Sequence, residues 1–542
     1  MDIGSALRPA GQRRRRPIPH SDAAAGTLRA AAHRPPEPFP RYSRTDPMTA
    51  FAVRPLVAIA AVLAIAGCSI PPKPDQPRLR DEAPLAGVSA AHGGAWPDPQ
   101  WWKRYGDAQL DALEQKAIAA SPSIEEAHKR FSTAVSAIDV ARAAGGASIQ
   151  ANAQVQRLRL SEHGLIPSQF LGFTWYNQGD LSLQFQYDFD LWGKNRAAIA
   201  AAVDEAHAAE AERSAAALML TTAVADAYFA WQADRARLAL AERTVQALER
   251  SRDLAAKRVA RGVDAPDVVH QAEQRLAAAR EAQAGYAGSA PIRLAALAAL
   301  LGVAPAELPA LEPRPLPAVD TALPDDVGID LLARRPDIAA SRWRVEAAMR
   351  RVDEARAEFY PDISLGAMVG LSSIDLDKLL NAGSRVASFG PALHLPVFGL
   401  DRLRAAYGVS QAQLAAAAAQ YDAAVVDAAR DVATQALGLA QVEARRRERA
   451  HQLEAAEALR RTAEARVRRG VADDRSLLAA EAQVLEQRDA AVALEAQAIS
   501  TQIALTKALG GGYRLKDMPA QPGRPEAAAA SSPIDAEKAE SR

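Results

Sequence analysis

Leu181-Ser182-Leu183-Gln184-Phe185-Gln186-Tyr187-Asp188-Phe189-Asp190 changes from apolar to polar at every step, then passes through Leu191-Trp192-Gly193-Lys194-Asn195-Arg196 into a stretch, Lys194 to Arg261, without glycine or proline. Period-two alternation gives a strand one apolar face and one wet face. The stretch that follows predicts a single helix of roughly 100 Å at 1.5 Å per residue, far longer than globular helices run. About ten alternating residues also suit a tilted strand crossing a bilayer. A hairpin of a soluble sandwich would alternate in the same way, so the rest of the chain has to decide.

Outward from this stretch, the chain repeats itself. Ser121-Pro122-Ser123-Ile124 and Arg335-Pro336-Asp337-Ile338 each place a proline at a helix's first turn, where its missing N–H costs nothing. Ser148-Ile149-Gln150-Ala151 and Asp362-Ile363-Ser364-Leu365 each open an extended run. Leu191 to Arg196 answers Val397-Phe398-Gly399-Leu400-Asp401-Arg402, and Arg261-Gly262-Val263-Asp264 answers Arg469-Gly470-Val471-Ala472. Four landmarks in one order, at nearly constant offset, mark a duplication. Further alternation falls at Ile363, Leu365, Ala367, Val369 and Leu371, with weaker runs at 148–156 and 385–395.

The second long stretch, Arg402 to Arg469, holds Gly408 and Gly438 but no proline. Leu453, Ala456, Leu459, Ala463 and Val467, and on the returning helix Val269, Ala272, Leu276 and Ala279, recur in steps of three and four, as coiled-coil seams do. A filamentous coiled coil is excluded by the strand pairs between the helices. Gly262 and Gly470 stand where the incoming helices should stop, and Asp267, Asp473 and Asp474 stand where the returning ones start, so each repeat ends in a helical hairpin tip.

The 542 residues balance Lys+Arg 65 against Asp+Glu 65, which gives no reason to expect a nucleic-acid partner. Cys68 is the single cysteine, which excludes an internal disulfide framework and a cysteine-rich metal site. From Met48, a short lead ending at Arg54 precedes the apolar run Leu56 to Ala66 and then Gly67-Cys68, the pattern of a secretory signal too short to span a bilayer. Residues 1–47, with Arg13 to Arg16 and many prolines, read either as an extension upstream of the real start or as a basic disordered leader.

Ile65-Ala66-Gly67-Cys68 resembles the bacterial lipobox, and Ser69 replaces the aspartate that retains lipoproteins in the inner membrane. That resemblance implies cleavage before Cys68 and acylation of its thiol. A buried cysteine in a chance apolar run is the alternative.

Four membrane strands cannot close a barrel alone, because open edges in lipid leave backbone groups unsatisfied, so the chain must oligomerise. Trp192 and Phe398, where strand gives way to helix, would then form an aromatic belt at the membrane interface. The two copies of strand, strand, long helix, Arg-Gly-Val tip and returning helix, with Arg335-Pro336-Asp337-Ile338 running to Phe359-Tyr360-Pro361, are similar to the TolC/OprM outer-membrane efflux family, in particular its NodT-like lipoprotein branch. The likeness covers about Trp101 to Gly511.

It implies an α+β membrane protein: a homotrimer whose twelve-stranded outer-membrane β-barrel, four strands per chain, continues into a long periplasmic α-helical barrel. It further implies a periplasmic adaptor protein docked at the tips and an inner-membrane RND-type pump supplying energy. Arg261, Gly262, Val263, Asp264, Arg469, Gly470 and Val471 become adaptor-contact tips. Family members often carry an acidic residue about two turns after the second tip glycine. Ala479 stands there, so the periplasmic aperture falls to Asp473, Asp474 and Arg475, for which simple helix capping is an equal alternative.

The expected layout is the 1–47 extension, a 48–67 signal peptide, a 68–100 extended lipidated segment, efflux repeats over 101–310 and 311–510, and a disordered tail over 511–542. No cofactor is expected beyond the covalent lipid on Cys68. Nor is an enzyme: the nine histidines lack His-Glu-x-x-His spacing, no Gly-x-Ser-x-Gly elbow occurs, and Gly193-Lys194 lacks the first glycine and the Ser/Thr of a phosphate loop. A lipid-anchored periplasmic adaptor is the competing reading. Adaptors carry one hairpin between small β domains, whereas this chain has two. The exported compound is not encoded in any of these features.

Overall fold

A computed structural model of the chain describes residues 70–85, 93–161, 168–319, 322–325, 327–396 and 399–514. These all lie in one unit, Ala64–Arg542; the other unit, Met1–Leu63, falls outside them, as do the rest of the signal segment, Cys68, Phe398 and the tail beyond 514.

The repeat is visible element by element. After a short helix α1 (Ala108–Ala120), α2 (Pro122–Ala144) leads into β1 (Ser148–Arg159), β2 (Trp175–Phe189), α3 (Lys194–Ala260) and α4 (Asp267–Leu300). After α5 (Val327–Arg334), α6 (Pro336–Ala357) leads into β3 (Asp362–Ser373), β4 (Arg385–His394), α7 (Leu400–Arg468) and α8 (Asp474–Ala508). Pro122 and Pro336 are the first residues of α2 and α6, as their missing N–H groups permit. α3 runs 67 residues and α7 runs 69, uninterrupted by Gly408 or Gly438.

The four strands form one antiparallel sheet in the order β1-β2-β3-β4. Its register aligns the alternation across all strands: Leu183 lies opposite Ala151 and Val369, and Phe185 opposite Ile149 and Ala367, which in turn faces Phe389. One face is therefore apolar through the middle of every strand, ending at Arg157, Asn177 and Arg385, while Gln150, Gln184, Gln186 and Ser364 share the other. No part of the described chain covers the apolar face: Phe389 is 88%, Ile149 72% and Leu183 50% exposed. A patch of this kind needs lipid or protein against it. No helix among the described residues is long and apolar enough to cross a membrane.

α3 and α7 are the long staves of a helical wall. Towards the sheet, α2 and α6 pack beside them; away from it, α4 and α8 do. Two cores meet near the middle of each stave. Trp101, Trp102, Leu110, Leu113, Val224, Tyr228, Leu297 and Ile503 bury one against α3, and Leu331, Ile338, Val345, Tyr421, Val425, Leu439 and Leu505 bury the other against α7. In the seams, Ala456 and Leu276 are buried, but Leu459 is 65% exposed. Two successive steps of three, from Leu453 to Ala456 to Leu459, rotate roughly 120° off the starting face at about 100° per residue, which carries Leu459 out of the contact.

Residues 71–83 form an extended strap along α6 and α7. The Pro71 carbonyl accepts from Arg356 Nε (3.0 Å), the Pro72 carbonyl from the Tyr407 hydroxyl (2.7 Å), and Arg80 N donates to Asp422 Oδ1 (3.0 Å). The segment expected to be disordered from 511 instead begins packed. Gly510, Gly511 and Gly512 all have positive φ, and a Cβ on Gly510 would collide with the Arg334 carbonyl oxygen. This lets Tyr513 pack against Ala211, Ala339 and Ala340.

Glu114 of α1 is fully buried, with neither carboxyl oxygen hydrogen-bonded. Burial, and then the charge of Asp111, push its pKa up to about 9. The carboxyl is thus protonated in the fold and ionised in the unfolded chain at neutral pH, so its contribution is fully present below the ordinary carboxylate range and lost as pH rises towards 9. Glu114→Gln should therefore raise the thermal midpoint of the detergent-solubilised protein at pH 7, by the equivalent of at most about 3 to 4 kcal/mol, and the difference should shrink towards nothing near pH 4.5. Equal melting at every pH would remove this assignment.

Candidate functional site

Both hairpins close by the same backbone device. Gly262 (φ 68°) and Gly470 (φ 69°) take the left-handed conformation just past α3 and α7. The next amide reaches back to the last turn, Val263 N to the Arg258 carbonyl (3.0 Å) and Val471 N to the Arg466 carbonyl (2.9 Å). Gly262 N and Gly470 N bond the Val259 and Val467 carbonyls at 2.9 Å each. Side chains at these positions would be strained, which is why glycine stands at each stop. Val263 and Val471 are left 59% and 75% exposed at the extreme tips, beside exposed Arg261 and Arg469.

Between the tips lies an ion cluster. Arg258, in the last turn of α3, grips Asp264 with two hydrogen bonds, Nε to Oδ2 at 2.7 Å and a terminal nitrogen to Oδ1 at 3.0 Å. The same guanidinium reaches across to Asp473 Oδ2 at 3.3 Å, joining the first hairpin to the second. Arg475 lies 3.8 Å from Asp264 and 3.9 Å from Asp473. Hydrogen bonding from Arg258 holds the Asp264 carboxyl below its ordinary range, and the same bond raises Arg258. The cluster is therefore intact at neutral pH and is lost only as pH falls through the depressed value.

The structure thus brings Asp473 and Arg475 together and leaves Asp474 exposed, with no ion pair to the described residues. Asp473 occupies the N-cap of α8, but its side chain makes no capping hydrogen bond; it turns to Arg258 instead. The capping alternative therefore fails for its side chain. Asp264, expected at the outer contact surface, is the most enclosed member of the cluster, at 13% side-chain exposure.

Arg258 itself was not singled out by the sequence reading, nor were the two bridges above it between α3 and α8. Arg250 meets Glu481 (3.1 Å), and Arg237 holds Asp489 with two bonds of 2.9 and 2.8 Å. A signal was present: Asp473, Glu481 and Asp489 recur every eight residues on α8, and Arg250 and Arg258 share that interval on α3. Together they zip α3 of the first hairpin to α8 of the second.

At the opposite end of the staves, Trp192 is 51% exposed, stacked on Tyr360 (4.7 Å between ring centroids) and fixed by an Nε1 bond to the Pro361 carbonyl (2.7 Å). No cluster able to hold a metal ion occurs among the described residues.

Against known proteins, the chain matches the outer membrane efflux protein family over residues 113–303 and 329–511. It is 34% identical over 449 residues to the multidrug resistance outer membrane protein MdtP of Shigella flexneri, covering 82% of this chain and 91% of that one. Among solved structures, the outer membrane protein VceC of Vibrio cholerae superposes with a TM-score of 0.69 at 34% identity, over 77% of this chain and all (100%) of that one. The open-state MtrE outer membrane channel of Neisseria gonorrhoeae does so with a TM-score of 0.64 at 26% identity, over 81% of this chain and 98% of that one. A duplicated strand-pair and long-hairpin architecture, matched in both repeats and along nearly the whole of these relatives, establishes that the chain belongs to the outer membrane efflux protein family.

Proposed function

We propose that three copies of this chain form the exit duct of a tripartite efflux system, a passive channel through which small molecules leave the cell. The observation that carries this reading is the sheet: one apolar face shared by the middle of all four strands, two unpaired edges, and two strands leading into staves of 67 and 69 residues. Pairing β4 of one copy with β1 of the next satisfies the edges and yields a twelve-stranded barrel, with the apolar face to lipid and the glutamine-rich face to water. The staves then line a periplasmic tunnel. Trp192, with Phe398 outside the described residues, lies at the membrane interface, where an amphipathic ring belongs. A lipid on Cys68, within a few residues of the strap's anchor at Pro71, holds the same level.

The tips face the periplasm. Exposed Val263, Val471, Arg261 and Arg469 are the surface for an adaptor, and an RND-type pump in the inner membrane supplies the energy. The Arg258, Asp264, Asp473 and Arg475 cluster locks the two hairpins together and keeps the aperture narrow. MdtP's multidrug name supports a cargo of small, chemically varied compounds, which a water-filled duct would pass without specific chemistry.

Two measurements test this. In planar bilayers, the wild-type protein should give small, stable openings, and Arg258→Ala/Asp264→Ala should give openings several-fold larger. A well-folded, inserted oligomer that never conducts would overturn the duct. Cells fed radiolabelled palmitate should label the wild-type protein and not Cys68→Ser; equal labelling would place the anchor elsewhere.

A further inference from the structure

Where β2 turns into α3, a cleft of about 510 Å³ opens on the side that carries the strap. Four cationic side chains line it, Lys73, Arg196, Arg350 and Arg356, against one carboxylate, Asp353. Trp192 and Tyr360 form its aromatic wall, and Leu191 its apolar lip. We propose that this cleft binds the phosphate head of a phospholipid from the periplasmic leaflet of the outer membrane, in preference to a zwitterionic one when the head is anionic. The inference rests on the channel reading, which sets this joint at the membrane surface.

The cations retain capacity for a phosphate. Lys73 lies 3.8 Å from Asp353, and Arg350 lies 3.7 Å from Asp204, both beyond hydrogen-bonding distance. Arg196 donates from Nε to the Asp190 carboxylate (3.2 Å) and from one terminal nitrogen to the Asp190 carbonyl (3.4 Å), yet is 73% exposed with its other terminal nitrogen bonded to none of the described residues, and Arg356 spends its Nε on the Pro71 carbonyl. The N-terminus of α3 adds nothing, because Asp190 already accepts from the amides of Asn195 and Arg196 (3.1 and 3.0 Å). The site is thus one of side-chain charge, and arginine and lysine over a phosphate are its natural chemistry.

Position identifies the source of the phosphate. Trp192 follows Phe189, the last apolar-face residue of β2, so the cleft begins where the lipid-facing surface ends. β2 and β3 are the central strands, each one strand in from an edge that pairs with a neighbouring copy, so the cleft is not formed by an edge strand itself. A diacylglycerol on Cys68 would lie within about 10 Å of Pro71 at the reach of an extended chain, but it carries no phosphate and does not explain four cations.

The test uses the full acylated protein in detergent, titrated with dihexanoyl phosphatidylglycerol below its micelle concentration and followed by the tryptophan fluorescence that Trp192→Phe removes. We expect saturable binding, weaker binding of dihexanoyl phosphatidylcholine, and no response to inorganic phosphate. Lys73→Gln/Arg196→Gln should weaken binding about tenfold or more, since each cation near an anionic lipid is worth about 1 kcal/mol, while Lys73→Arg/Arg196→Lys retains it. Both positions are exposed, so a melting curve like the wild type's accompanies either variant. An equal response to inorganic phosphate would make this a soluble-anion site and overturn the lipid assignment. So would equal binding of both lipids together with indifference to the glutamine variant. Bilayer conductance of the same preparation separates the two readings: a conducting protein without head-group selectivity sinks this inference alone, and a non-conducting one sinks the channel with it.

Discussion

The two unpaired edges of the β1-β2-β3-β4 sheet are the constraint on which the rest of this molecule depends. In hydrocarbon, each backbone N–H or C=O without a partner costs several kcal/mol, and β1 and β4 each present a row of them. Nothing within one chain can fill both rows while leaving the apolar face to lipid. In the proposed trimer, closure by neighbouring copies would satisfy the edges, and with a curved sheet above, the staves below would curve as well. Alanine makes that curvature attainable. Ala201, Ala208, Ala211, Ala428 and Ala429 are all buried where α3 and α7 meet their neighbours, and small side chains let helices approach at a shallow, repeated angle.

Along the staves the chain spends its larger side chains unevenly. The cores around Tyr228 and Val425 sit near mid-stave, where α1, α5 and the ends of α4 and α8 converge; Trp101, Trp102, Tyr228, Phe229 and Tyr421 are buried there, while Phe359 and Tyr407 are buried nearer the sheet. Beyond that girdle, towards the tips, contact passes from apolar packing to arginine–carboxylate bridges. Arg237–Asp489, Arg250–Glu481 and Arg258–Asp473 follow one another down the α3–α8 line. Apolar packing holds the middle rigid, whereas these partly exposed ion pairs each contribute less and remain open to water. A wall built this way is firm at its waist and separable at its end, as the proposed aperture would require.

The joint between sheet and staves is the third mechanical element. Trp192 on Tyr360, the Trp192 bond to Pro361 and the Lys194–Glu358 pair (3.4 Å) tie the start of α3 to the end of α6, while the strap binds α6 to α7 through Arg356, Tyr407 and Asp422. The strap thereby ties Pro71 and Pro72 to the parts of α6 and α7 nearest the sheet. The glycines at 510–512 do the corresponding task at the other terminus, bringing Tyr513 into the α3–α6 contact.

What the sequence determined by itself is whatever depends on local periodicity and backbone chemistry. Alternation at 181–190 set the strand and its two faces, freedom from glycine and proline set α3, Pro122 and Pro336 set two helix starts, and Gly262 and Gly470 set two stops. The repeat set the order of all of these. Only the tertiary structure decided which charges meet. Arg258 joins Asp264 across a turn and Asp473 across 215 residues of chain, a pairing that no local pattern encodes because it depends on how two hairpins lie side by side. For the same reason, Leu459 left its seam, Asp473 abandoned its cap, and Lys73 came to share a cleft with Arg196 and Arg356. Periodicity fixes which face a residue takes; packing of distant segments fixes what that face touches.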